Sequence, residues 1–205
     1  MKVVILAGGL GTRLPEYTKT IPKPMVNILG EPLIVHIMKQ YVKYGFKDFL
    51  IATGYKREFI KNFFSRKKLK WNVNIVNTGL KTMTGGRLKR LKKYIGNETF
   101  MMTYGDGVSS VNIKKLLQFH KKNKKLVTLT AVRPPARFGV IKLKGNKVTY
   151  FKEKSKLDEG WINGGFFVID SKFLNFIKND NTYLEKEPLE KAMKVKELNA
   201  FKHNG

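Results

Sequence analysis

Three glycines within four positions, Gly8, Gly9 and Gly11, follow directly on the apolar run Val3-Val4-Ile5-Leu6-Ala7. A short run rich in β-branched residues reads as a buried parallel strand. In open α/β sheets, ligands bind just beyond the carboxyl ends of such strands. Without Cβ atoms, these glycines let backbone N–H groups close on a bulky anion. Thr12 adds a hydroxyl, and Arg13 a planar fork that matches phosphate. Downstream, Pro22 and Pro24 stiffen the backbone around Lys23 and hold a cation near that turn. Asp106 stands between Gly105 and Gly107, after the apolar run Phe100–Tyr104. A carboxylate there can hold a hard cation shared with phosphates. Plainer readings exist for each: a βα turn needs glycine for its shape, and a turn aspartate bonds its own backbone.

Several chemistries are excluded. No Lys-Ser or Lys-Thr follows the last glycine, so this is not a Walker A loop. Leu14 stands where the dinucleotide fingerprint needs its third glycine. The chain has no cysteine, hence no disulfide framework or thiolate. His36, His120 and His203 are far apart and lack ligand spacing; His120 sits on an apolar helix face and reads as a core residue. No nucleophilic serine motif or zinc site is present.

The elements that must position these groups alternate. Ile34, Ile37, Met38 and Tyr41 recur at helical spacing, predicting a helix over 33–44 closed by Gly45. Strands are predicted at 49–53, 73–76, 100–104 and 127–132, and a short one at 25–28. Helices are predicted around 59–64, from Gly86 through Ile95 with an anion-binding N-terminus, and along Ile113, Leu116, Leu117 and His120. Strands alternating with helices imply βαβ units and a mostly parallel sheet. The second half is richer in strands: a hairpin around Gly145-Asn146, then a strand over 161–169. Helices at 173–177 and 189–195 and a last strand at 198–201 complete the pattern. No repeat or low-complexity linker divides the chain. It reads as one domain over 1–205, in two halves that divide at about residue 132.

The 205 residues suffice for one domain with a core, and a hydrophobic content of 42% argues against disorder. No apolar run approaches the roughly 20 residues of a membrane span. The N-terminus enters a strand at once, leaving no room for a signal peptide. A cytoplasmic protein with no membrane partner is expected. The net charge of +26 exceeds what small anionic substrates need. The basic residues fall in scattered runs without interleaved stacking aromatics. A lysine-rich composition therefore accounts for them better than a nucleic-acid partner does.

Leu6-Ala7-Gly8-Gly9-Leu10-Gly11-Thr12-Arg13-Leu14, followed by Pro22-Lys23-Pro24-Met25, resembles the signature of sugar-1-phosphate nucleotidyltransferases. Gly54-Tyr55-Lys56, Met83-Thr84-Gly85-Gly86-Arg87-Leu88-Lys89-Arg90, Thr103-Tyr104-Gly105-Asp106-Gly107, Phe151-Lys152-Glu153-Lys154 and Ile162-Asn163-Gly164-Gly165-Phe166-Phe167 follow in order, over nearly the whole chain. The resemblance is greatest to the family's cytidylyltransferase branch. It implies a Rossmann-like, mostly parallel sheet flanked by helices, of the nucleotide-diphospho-sugar transferase type, with a nucleotide-binding half over about 1–132 and a β-rich sugar-phosphate-binding half over about 133–205. It implies CTP and glucose 1-phosphate as substrates and Mg²⁺ as cofactor.

By the same resemblance, Asp106 holds the metal, and Arg13 and Lys23 neutralise the α-phosphate. Backbone groups of Leu6, Ala7, Gly8, Gly9 and Gly11, with Thr12 and Gly105, cradle the nucleotide, while Thr82 and Arg87 approach the cytosine or its ribose. Glu153 and Asn163 contact the sugar and Lys154 its phosphate, although Glu153-Lys154 alone would read as strand-edge charge. Three departures stand out. Ser155 replaces a proline that usually follows the lysine. The stretch between Phe64 and Trp71 is shorter than in relatives, which leaves a homo-oligomer open. A second metal-binding aspartate of the family lies beyond the point where this sequence stops, so weaker metal binding and reduced turnover are expected. Another nucleotide or sugar, or a chain that binds nucleotide without turnover, are the competing readings.

Overall fold

The computed structural model describes residues 1–11, 20–134, 140–152 and 160–204. Its centre is a seven-stranded sheet. The strands are β1 (Lys2–Ala7), β4 (Asp48–Thr53), β5 (Asn72–Asn77), β6 (Phe100–Tyr104), β7 (Val127–Val132), β10 (Ile162–Ile169) and β11 (Leu198–His203), in the order β11-β7-β10-β6-β1-β4-β5. β1 pairs in parallel with β4 and β6, β4 with β5, and β11 with β7; β10 runs antiparallel between β6 and β7. Two small pairs lie apart: β2 (Asn27–Ile28) with β3 (Glu31–Pro32), and the hairpin β8 (Val140–Lys144) with β9 (Lys147–Lys152).

Among the described residues, six α-helices accompany the sheet: α1 (Leu33–Val42), α2 (Arg57–Arg66), α3 (Thr84–Arg90), α4 (Lys92–Ile95), α5 (Ile113–Asn123) and α6 (Glu187–Lys194). Alternation along β1 divides the core. Val4 and Leu6 pack with Leu50, Met102 and Phe167 under Leu88, Leu91 and Leu189. Val3 and Ile5 pack with Phe49, Ile51 and Met101 under Ile34, Ile37 and Met38. Burying each such side chain contributes roughly 1.5–3 kcal/mol relative to exposure. β1 is thus buried on both faces, which is why it reads as a continuous apolar run.

Four expectations need adjustment. Residues 23–25 form a 3-10 turn, so only Asn27–Ile28 remains of the short strand at 25–28. The first helix stops at Val42; the Gly45 N–H donates to the Val42 carbonyl at 2.9 Å, and Gly45 has φ +89°. The helix expected from Gly86 starts at Thr84 and breaks at Leu91, whose φ/ψ of −84°/−4° separates α3 from α4. Residues 171–176 form a 3-10 helix capped by Asp170, whose side chain accepts from the Lys172 N–H; so short a segment closes i to i+3 bonds instead of an α-helical ladder. His120 is buried, with Nδ1 3.0 Å from the Thr128 hydroxyl.

Candidate active site

Parallel pairing of β1 with β6 sets Leu6 opposite Tyr104. The glycine turn and the Gly105-Asp106 turn therefore leave the sheet side by side, and the Gly105 N–H donates to the Leu6 carbonyl at 2.9 Å. They border a cavity of about 300 Å³. Its walls include Leu6, Ala7, Gly8, Gly9, Leu10, Gly11, Lys23, Pro24, Thr82, Met83, Thr84, Arg87, Tyr104, Gly105, Asp106 and Tyr183. Pro24 is buried in the 3-10 turn, and its Cγ would lie 3.1 Å from a Cβ on Gly105. This packing presents Lys23 to the cavity. The Lys23 ammonium lies 2.8 Å from Asp106 Oδ2, with side-chain exposures of 23% and 34%, so both groups remain open to a ligand.

Arg87 is 4% exposed. One Nη donates to the Thr53 carbonyl (3.2 Å), the Thr78 hydroxyl (2.8 Å) and the Gly79 carbonyl (2.8 Å). The other donates to the carbonyls of Gly8 (2.8 Å) and Leu80 (3.4 Å). The guanidinium thus clasps the glycine turn to the ends of β4 and β5. A Cβ on Gly8 would lie 2.1 Å from Nη1, whereas one on Gly9 would meet nothing within 4 Å. Gly8 is therefore required by Arg87, and Gly9 leaves its space to the cavity. Burial pushes the Arg87 pKa down, with Arg90 adding repulsion. This is not the solvated cation that helical position alone would suggest; neutral carbonyl dipoles surround it.

The start of α3 is docked on residues 177–187. The Met83 and Gly86 N–H groups donate to the carbonyls of Asp180 (2.8 Å) and Thr182 (3.2 Å). The backbone passes so close that a Cβ on Gly85 would lie 2.7 Å from the Thr182 carbonyl, and one on Gly86 2.5 Å from that of Asp180. Thr84 Oγ1 donates to Glu185 Oε2 at 2.7 Å. The anion site expected at this helix start is thus taken up within the chain, the Gly86 N–H by a carbonyl and the Thr84 hydroxyl by a carboxylate. Tyr104 donates its hydroxyl to Glu185 Oε1 at 2.6 Å. Burial first, and the Glu185 charge second, push the Tyr104 phenol upward, so it stays protonated and donates.

Of the residues singled out from the sequence, Leu6, Ala7, Gly8, Gly9, Gly11, Lys23, Thr82, Arg87, Gly105 and Asp106 come together around this one cavity. Asn163 stands outside its wall, exposed, with its Oδ1 accepting from the Gly165 N–H at 2.9 Å beside the Tyr104 ring. Thr12, Arg13, Glu153 and Lys154 lie outside the described residues. Tyr104, Thr84, Tyr183 and Glu185 were not anticipated. Tyr104 and Thr84 sit inside recognisable motifs; no sequence signal marks Glu185, whose part depends on how 177–187 docks.

Asp106 is the wall's only carboxylate among the described residues, and no group of three metal-ligating side chains occurs among them. One carboxylate beside a cavity fits a Mg²⁺ that arrives with nucleotide phosphates, since that ion keeps waters and takes one or two protein carboxylates. It does not fit an all-protein cage.

A family model described as nucleotidyl transferase matches residues 2–203. The glucose-1-phosphate cytidylyltransferase of Salmonella typhimurium is 46% identical over 228 aligned positions, covering 100% of this chain and 89% of its own. A probable glucose-1-phosphate cytidylyltransferase of Bacillus subtilis is 38% identical, again covering 100% and 89%. Among solved structures, HddC from Yersinia pseudotuberculosis, complexed with GMP-PN, superposes with a TM-score of 0.76 at 26% identity, covering 98% of this chain and 90% of that one. The mostly parallel sheet flanked by helices is the nucleotide-diphospho-sugar transferase fold.

Proposed function

The chain belongs to the nucleotidyl transferase family and is a sugar-1-phosphate nucleotidyltransferase, and from that premise we propose that it transfers a cytidylyl group from CTP to glucose 1-phosphate, giving CDP-glucose and pyrophosphate. The observation that carries the reading is the Lys23–Asp106 pair in a cavity edged by the glycine turn, together with full-length similarity to cytidylyltransferases. A phosphate oxygen of the sugar attacks the α-phosphorus in line. The bond from α-phosphorus to the bridging oxygen breaks, and pyrophosphate leaves with that electron pair. No general base is required, because the attacking phosphate is already ionised.

The chain's task is to hold two anions in line and to neutralise charge on the α-phosphate. Backbone groups of Leu6 to Gly11 cradle the nucleotide. Lys23, and Arg13 by the family resemblance, supply the positive charge. Thr82 lies at the cavity wall where the base is read, and Arg87 holds the carbonyl end of the glycine turn in place behind it. Asn163 and Glu153 bind sugar hydroxyls, and Lys154 the sugar's phosphate. Mg²⁺ held by Asp106 and the nucleotide phosphates would add Lewis-acid charge neutralisation. No helix among the described residues is long and apolar enough to cross a membrane.

The test is pyrophosphate release with Mg²⁺ and glucose 1-phosphate, offering CTP, UTP, dTTP, ATP and GTP separately, with Asp106→Asn as control. Release with CTP that the substitution abolishes supports the assignment. Release with another nucleotide moves the chain to a different branch, and release unaffected by Asp106→Asn removes the metal role.

A further inference from the structure

Tyr104, Glu185 and Thr84, from separate segments, join between the two proposed subsites, with Asn163 linked to them through Gly165. Asn163 Oδ1 on β10 accepts from the Gly165 N–H at 2.9 Å, and Gly165 lies against the ring of Tyr104 at the end of β6. Tyr104 donates to Glu185 at 2.6 Å, and Thr84 at the start of α3 donates to the same carboxylate at 2.7 Å. The Leu184 N–H donates to the Thr84 hydroxyl at 2.9 Å, fixing which way it points. The Tyr104 ring lies edge-on to Phe167 at 6.0 Å between centroids, and a Cβ on Gly165 would come within 3.2 Å of it. The phenol therefore has one seat. At one end of this chain stands Asn163, assigned to the sugar. At the other stand Thr82, Met83 and Thr84, which line the nucleotide cavity.

We infer that Glu185 is a positioning residue that couples the two substrate subsites, holding Tyr104 and Thr84 in the arrangement each substrate requires. The inference rests on the nucleotide and sugar-phosphate assignment above. Both bonds to Glu185 are charge-assisted O–H to carboxylate bonds, short and about twice as strong as neutral ones. A ligand that orders Asn163 orders Gly165 and the Tyr104 ring that lies against it, and through Glu185 fixes the start of α3 beside the nucleotide. Whatever entropy the first ligand spends on ordering this chain is not spent again by the second. Because coupling is reciprocal, each substrate tightens the other by the same factor. Glu185 lies on an exposed loop, so replacing it leaves the core intact.

The experiment is calorimetric titration of the full chain with the α,β-methylene analogue of CTP and Mg²⁺, with and without saturating glucose 1-phosphate. The carbon bridge blocks pyrophosphate departure, so binding is read without turnover. In the wild type, glucose 1-phosphate tightens the analogue at least about 5-fold. In Glu185→Ala that factor falls below about 2, while the analogue alone binds within a few-fold of wild type. Glu185→Gln, which keeps both partners but not the charge, recovers part of it. Tyr104→Phe loses the coupling factor to the same extent as Glu185→Ala, and combining the two lowers it no further, as expected for members of one chain.

A wild-type coupling factor retained in Glu185→Ala overturns the inference. So does a loss of affinity equal with and without the sugar phosphate, which marks a local structural role. An uncoupled wild type overturns it while leaving the substrates standing. Should a different nucleotide's analogue be the one that binds, the base assignment fails and the coupling is read with that analogue. Binding of none overturns both.

Discussion

Lys23 and Asp106, 83 positions apart in sequence, meet at 2.8 Å in the wall of the cavity that the glycine turn borders. Two partly exposed partners of this kind contribute about 0.2–1 kcal/mol to stability. The pair is therefore poorly explained as a structural staple. It is well explained as two groups that restrain each other until phosphates separate them. Lys23→Ala and Asp106→Asn are each expected to lower turnover on the order of 10²-fold or more, while thermal unfolding shifts by only a few degrees. Steady-state rates set beside melting curves check this; near-normal turnover in either variant would remove that residue from the chemistry.

Arg87 should behave in the opposite way. Its removal takes a donor from the carbonyls of Gly8, Thr53, Gly79 and Leu80 and from the Thr78 hydroxyl; Thr53 and Gly8 keep the N–H groups of Thr78 and Tyr55, while the Gly79 and Leu80 carbonyls lose the guanidinium that held them to the turn. Buried acceptors left without donors are costly. Arg87→Ala is expected to lower the unfolding free energy by about 2–4 kcal/mol. Arg87→Lys recovers only a part, since one ammonium cannot span five acceptors. Urea melts measure the cost. If stability is unchanged and only nucleotide preference moves, the clasp is not what keeps Arg87 in place.

Gly86→Ala tests the docking of α3. The added Cβ would stand 2.5 Å from the Asp180 carbonyl, a backbone atom that cannot swing aside. A loss of about 1–3 kcal/mol is expected, typical of overpacking, with a fall in turnover as residues 180–185 move off the nucleotide loop. Gly9→Ala, with open space around its Cβ, should leave stability nearly unchanged and weaken nucleotide binding. Equal melting curves for Gly86→Ala and wild type would contradict the contact.

His120 gives a pH prediction. Burial lowers its pKa below the ordinary imidazole value, against a smaller opposing effect of Asp170. The unfolded chain therefore binds the proton more readily than the folded one. The contribution to stability is complete above the unfolded pKa of about 6.5 and is lost as pH falls through the folded value. Melting temperature should decline below about pH 6.5, and His120→Gln should flatten that decline. An unchanged slope in the variant would assign the pH dependence to other groups.

Much of this was legible before any coordinates. β1 and β6 are buried on both faces, so their apolar runs announce strands, and the glycines after them announce turns at the ligand-binding end. Parallel pairing of Leu6 with Tyr104 then turns two distant motifs into one wall. What stayed hidden depends on long-range docking. Arg87 sits at a helical position that reads as solvent-facing, and only the folded turns of 8 and 77–80 reveal it as buried. Glu185 lies in a segment with no periodicity, and its partners are Thr84 and Tyr104, 101 and 81 positions away. The break at Leu91 was masked because Leu88, Leu91 and Ile95 continue one apolar stripe through both short helices.

The most direct measurement is a competition in one vessel: CTP, UTP, dTTP, ATP and GTP at equal concentration with Mg²⁺ and glucose 1-phosphate, the nucleotide sugars then separated and quantified. The account predicts CDP-glucose as the dominant product, with pyrophosphate in equal amount. A different nucleotide sugar in excess would contradict the cytidylyl assignment, and no nucleotide sugar from any of the five would contradict glucose 1-phosphate as the acceptor.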